Sequence, residues 1–173
     1  GPTRTRIHRR GCGVSDAGIT GTITVNDRAL EVTFGPTETL LDLLRRNGHT
    51  EVKRGCARGE CGSCLVLLDD LLVNSCQVFA ATALGRRLVT SVGLARDDRA
   101  AEIHRSFART GAVQCGFCTP AMVMATRWLL ERTPNPSDEE IREALAGNLC
   151  RCTGYVKTID AVKLAAERMR SHG

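Results

Sequence analysis

The sequence predicts an α+β fold in two successive parts, a β-rich region followed by an all-helical one. Three observations carry that prediction. Apolar and β-branched residues alternate in several stretches between Ile19 and Val92, the period-2 pattern of strands. The alternation stops near residue 96, at Asp97-Asp98-Arg99, after which apolar residues recur at helical spacing. Eight of the nine cysteines divide the same way, with Cys56, Cys61, Cys64 and Cys76 in the first part and Cys115, Cys118, Cys150 and Cys152 in the second. The expected organisation is a basic flexible arm over 1–18, a β-rich domain over 19–96 and a helical-bundle domain over 97–173.

Aromatic residues make up only 3% of the 173 residues, so any core rests on Leu, Val, Ile and Ala. Two domains of this size have thin cores, which metal staples would reinforce. The net charge of +5 is uneven, because Arg4, Arg6, Arg9 and Arg10 against Asp16 give the first twenty residues a surplus of three. No basic or aromatic repeat follows, so a solvated tail is expected there and nucleic acid is not an expected partner. Arg9-Arg10 is followed by Gly11-Cys12-Gly13-Val14-Ser15-Asp16 rather than a hydrophobic region. An export signal is therefore not expected, and cytoplasmic placement is. No apolar run reaches membrane-spanning length. A disulfide framework is disfavoured by the odd cysteine count, the tight spacings and the lack of a leader pattern.

Taken in order, Ile19–Asn26 and Ala29–Phe34 alternate around Asn26-Asp27-Arg28, a β-hairpin pattern. Thr37-Glu38-Thr39 then opens a helical stretch, Leu40 to Arg46, which Asn47-Gly48 ends. Hairpin, helix and further strands suggest a β-grasp. Cys56, Cys61 and Cys64 follow as C-x4-C-x2-C, with Cys76 further on. The first three have the plant-type spacing of a [2Fe-2S] cluster. Gly55, Gly59 and Gly62 would let this loop curl and turn backbone N–H groups towards cluster sulfurs. Zinc is the alternative, but zinc ribbons use two separated C-x2-C knuckles. A hairpin over Leu65–Asp69 and Leu71–Val73 would return Cys76 to the loop, and Arg86–Val92 reads as another strand.

Four helices are expected beyond the boundary: 98–110 ending at Gly111, 120–132, 137–149 and 157–170. Thr119-Pro120 reads as an N-cap and first-turn proline, and Ser137-Asp138-Glu139-Glu140 as a capping box. Met122, Met124, Trp128 and Leu129 are expected in the core. Cys115 and Cys118 precede the second helix, and Cys150 and Cys152 follow the third. An antiparallel bundle would gather these thiols at one end, near the positive end of a helix dipole. Four sulfur ligands point to zinc or an iron–sulfur cluster. Cys12 is a lone thiol with no assigned role.

The chain resembles the small iron–sulfur subunit of the xanthine dehydrogenase and carbon monoxide dehydrogenase type of molybdenum hydroxylase. The resemblance lies in Gly55–Cys64, Asn74-Ser75-Cys76, Gln114–Pro120 and Gly147–Tyr155, and covers about 20–170. It implies a β-grasp ferredoxin domain followed by a four-helix bundle, each with one [2Fe-2S] cluster. Cys56, Cys61, Cys64 and Cys76 would hold the FAD-side cluster. Cys115, Cys118, Cys150 and Cys152 would hold the molybdenum-side cluster, and Gln114 would contact the pterin. It further implies a large subunit binding molybdopterin in its dinucleotide form, a medium subunit binding FAD, and a heterotrimer that can dimerise. The chain departs from the family at Ala121, where glycine is usual, and at Asp27-Arg28 and Asp70-Leu71, where Asn-Gly and Asp-Gly are common.

With no general base and no nucleotide fingerprint, the chain is expected to relay electrons and perform no catalysis alone. The substrate of such a complex would be a purine or another N-heteroaromatic; aldehydes and carbon monoxide are the alternatives. A freestanding two-cluster ferredoxin is the competing reading, and a zinc-stabilised adaptor a third.

Overall fold

The computed structural model of the protein describes residues 18–171; the arm before Gly18, with Cys12, lies outside them. The described fold is α+β, as expected. Strands β1 (Ile19–Val25) and β2 (Arg28–Phe34) pair antiparallel, with Val25 opposite Arg28. The turn between them is therefore Asn26-Asp27, one residue shorter than the expected Asn26-Asp27-Arg28. Both residues have positive φ, 51° and 63°, the two-residue turn whose twist suits a hairpin. Asp69-Asp70, at 46° and 65°, makes the same turn between β3 (Leu65–Leu68) and β4 (Leu71–Asn74). The residues following each turn, Arg28 and Leu71, are already strand. The departures from Asn-Gly and Asp-Gly thus leave both turns in place.

Helix α1 (Leu40–Arg46) is capped by the Thr39 hydroxyl and buries Leu40, Leu41, Leu43 and Leu44. Strand β5 (Arg87–Val89) completes a mixed sheet of order β2-β1-β5-β3-β4, in which β1 and β5 run parallel. The strand expected over Arg86–Val92 is shorter because Thr90 leaves the ladder. Its N–H donates to Asn26 Oδ1 and its hydroxyl to Glu51 Oε1. Ser91–Leu94 then forms a helical turn, α2.

Helices α3 (Asp98–Thr110), α4 (Thr119–Arg132), α5 (Asp138–Leu145) and α6 (Val156–Ser171) follow. Gly111, at φ 69°, ends α3, and Ser137 with Glu140 forms the expected capping box on α5. Helix α5 stops four residues short of the expected Leu149. The Leu149 amide donates to the Cys61 carbonyl at 3.0 Å instead of to a helical carbonyl. At α4 the N-cap position belongs to Cys118, and Thr119 is already helical. Met122, Met124 and Leu129 are buried, but Trp128 is only partly so. The Arg132 guanidinium covers its ring at 4.3 Å.

Strand alternation ties sheet to helices. Val66, Leu68 and Leu88 join the core beneath α1, whereas Leu67 and Val89 join the core formed by the helices. Successive strand side chains point to opposite faces, so the β3–β5 part of the sheet is buried on both. Among the described residues, no helix is long and apolar enough to cross a membrane.

Candidate metal centres

The loop from Lys53 to Cys64 owes its path to residues that tolerate close approach. A Cβ on Gly55 would stand 2.6 Å from Cys61 Sγ, so this glycine leaves the space a cluster cradle needs. Ala57, Gly59 and Gly62 all have positive φ. The curl points amides at sulfur: the Arg58 N–H donates to Cys56 Sγ and the Cys56 N–H to Cys61 Sγ, both at 3.3 Å. Cys64 immediately precedes β3, and Cys76 follows β4 across the hairpin. The Ser75 hydroxyl donates to the Cys64 carbonyl at 2.7 Å, fixing that junction. The Gln77 side-chain amide donates to Cys76 Sγ at 3.4 Å, and Asn74 Nδ2 donates to the Gly59 carbonyl.

The thiols therefore form two pairs, Cys56 with Cys61 and Cys64 with Cys76, whose side chains interact within each pair. Their electrostatics differ. The Arg58 amide, followed by the Cys61 amide, brings the Cys56 thiol down to about 6. Burial pushes the Cys64 thiol up to about 11.

The second group repeats the arrangement. Cys115 is exposed at the rim, and Cys118 is buried at the start of α4. Cys152 Sγ lies 3.6 Å from Cys115 Sγ, and Cys150 interacts with Cys118. Burial pushes Cys118 up to about 12. Burial also acts upwards on Cys150, but the Thr153 hydroxyl and amide outweigh it and bring the thiol to about 7. Contact with Cys115 raises Cys152. The Tyr155 hydroxyl accepts the Cys150 N–H at 2.9 Å and donates to the Asn148 carbonyl at 2.8 Å. This holds the Cys150 backbone in place. Gln114 is exposed beside Cys115.

Four pairs of thiols suit two binuclear clusters, in which each iron takes two cysteines. Among the described residues, no three His, Cys, Asp or Glu side chains group around one point as mononuclear zinc requires. Bound metal would keep the buried thiols deprotonated against the cost of burial.

The two groups meet. Cys61, Cys115, Cys118, Cys150 and Cys152 line one cleft of about 270 Å³, with Phe117 and Leu149 at its edge. The contacts from Thr153, Tyr155 and Gln77 were not anticipated from the sequence. The turn pattern Cys-Thr-Gly-Tyr places the first two near Cys150, but no periodicity reveals which side chain turns back.

Residues 23–87 match the family model of the 2Fe-2S iron-sulfur cluster binding domain, and residues 90–163 that of the [2Fe-2S] binding domain. The chain is 44% identical over 151 residues to the nicotinate dehydrogenase small FeS subunit of Eubacterium barkeri, covering 87% of this chain and 96% of that one. It is 42% identical over 146 residues to the xanthine dehydrogenase iron-sulfur-binding subunit of Escherichia coli O157:H7, covering 83% and 92%. Its structure matches that of a chain of quinoline 2-oxidoreductase from Pseudomonas putida 86 with a TM-score of 0.84 and 39% identity, covering 90% and 98%.

Paired thiols and two matched domains define an iron–sulfur protein for two [2Fe-2S] clusters. The chain belongs to the small iron–sulfur subunits of the xanthine dehydrogenase, or molybdenum hydroxylase, family and is a subunit of an oxidoreductase.

Proposed function

We propose that this chain relays single electrons from a molybdopterin-bearing large subunit to an FAD-bearing medium subunit. The observation that carries the proposal is the meeting of two paired-thiol groups across the Cys61–Leu149 hydrogen bond and a shared cleft. Cys115, Cys118, Cys150 and Cys152 hold the molybdenum-side cluster, and Cys56, Cys61, Cys64 and Cys76 the FAD-side cluster. Bound there, each [2Fe-2S] cluster takes up and returns one electron. The chain's own residues orient the thiolates, donate hydrogen bonds to them and limit access of water.

The organisation proposed with this role is a β-grasp ferredoxin domain over 19–96 and a helical-bundle domain over 97–173. Gln114, exposed at the rim, offers an amide to a pterin edge. Phe117 and Leu149 are 45% and 58% exposed at the cleft, and Val113 is 42% exposed nearby. Apolar side chains left open beside redox centres support a covering subunit over a freestanding ferredoxin. The relatives named for nicotinate, xanthine and quinoline support an N-heteroaromatic substrate, bound on the large subunit.

Affinity purification of the full chain from its native host, with molybdenum and flavin analysis, tests this. Recovery of two larger subunits carrying molybdenum and FAD is the expected result. Recovery of a cluster-loaded chain without either would leave a freestanding carrier.

A further inference from the structure

In each cysteine group an uncharged polar side chain donates a hydrogen bond to a cysteine sulfur. In the helical part, the Thr153 hydroxyl donates to Cys150 Sγ at 3.1 Å, and the Thr153 N–H points at the same sulfur at 3.5 Å. In the sheet part, Gln77 Nε2 donates to Cys76 Sγ at 3.4 Å. Each loop also has ties that do not run through these two side chains, although Thr153 Oγ1 accepts the Tyr155 N–H at 3.4 Å and Gln77 Nε2 reaches the Ala57 carbonyl at 3.5 Å. The loop around Cys150 is held by Tyr155, and Cys64 is tied to Ser75 beside Cys76.

We infer that Thr153 and Gln77 are positioning residues that set the reduction potentials of the two centres independently, each through one cysteine sulfur. This rests on the relay reading and on the cysteine assignments above. Reduction adds one electron to a cluster and breaks no bond, so the thiolate sulfurs become more negative. A donor aimed at sulfur favours that form and raises the potential. The hydroxyl bond is the shorter of the two. The Gln77 amide is also shared with the Cys76 carbonyl, at 3.1 Å, and the Ala57 carbonyl, at 3.5 Å. Thr153 therefore has the larger effect, and the molybdenum-side centre depends on it. The separation between the two potentials, which governs the direction of electron flow, is then written in two side chains outside the cysteine motif.

The test is an EPR-monitored redox titration of the purified native complex carrying Thr153→Val, Thr153→Ser or Gln77→Met. Thr153→Val should shift the molybdenum-side signal to lower potential and leave the other in place, and Thr153→Ser should restore it. Gln77→Met should lower only the FAD-side potential, by less. Thr153→Ala serves as a second variant, with the shift expected of valine. Unchanged potentials, both potentials moving together, or loss of a signal in place of a shift would overturn the inference, because general loosening moves both and a structural tie abolishes one. If the unmodified complex lacks two [2Fe-2S] signals, the relay reading itself fails, a result distinct from two signals that do not shift.

Discussion

Gly62 lies so close to Gly147 that a Cβ on it would stand 2.2 Å from the Gly147 carbonyl oxygen. The two residues belong to the two cysteine-bearing loops, one before Cys64 and the other before Cys150. Beside them, Asn148 Nδ2 donates to the Gly62 carbonyl at 3.4 Å, and the Leu149 N–H to Cys61 at 3.0 Å. The contact has no room for a methyl group, and Gly62 also holds φ 65°.

Gly62→Ala should therefore cost about 3 kcal/mol, from a left-handed backbone and an overpacked contact combined. Thermal unfolding of the cluster-loaded complex measures it. An effect below about 1 kcal/mol would mean that the loops part easily.

Asn26 links the first hairpin turn to the segment after β5. It is 5% exposed, accepts the Thr90 N–H and donates to the Thr90 hydroxyl, both at 2.9 Å. Asn26→Ala leaves the buried Thr90 amide without a partner and places a Cβ residue at positive φ without an amide to stabilise it. A loss of about 3 kcal/mol is expected in urea unfolding.

The Arg86 guanidinium at 2.6 Å, followed by the Arg87 amide at 2.9 Å, holds the Asp69 carboxyl below its ordinary value of 3.8. Because the folded-state value is depressed, the stabilisation is complete above the ordinary value. It is lost as pH falls through the depressed one. Asp69→Asn tolerates the same turn and should flatten the acid side of the stability profile below pH 3.8. Equal acid sensitivity in both proteins, measured by urea midpoints, would contradict this.

Much of this could be read from the residues, and two of the misreadings share a cause. The hairpins, the capping box at Ser137 and the division of the cysteines depend on local spacing, and all three are present. The end of α5 and the end of β5 were misplaced because distant partners decide them. Leu149 gives its amide to Cys61, and Thr90 gives its amide to Asn26. Leu67 and Val89, read only as strand residues, proved to face the helices. Alternation reveals two faces but not what covers the second.

Removing one thiol from each group should separate the centres. Cys61→Ser is expected to abolish one [2Fe-2S] signal and Cys115→Ser the other, each leaving about two of four irons per chain. Loss of both signals from either variant would mean that the groups do not bind independently.

The central claim is tested most directly by metal analysis and EPR of the dithionite-reduced native complex. Two distinct [2Fe-2S] signals, about four irons per chain and molybdenum in the complex are the predicted result. Zinc without iron, or a single cluster on an isolated chain, would contradict it.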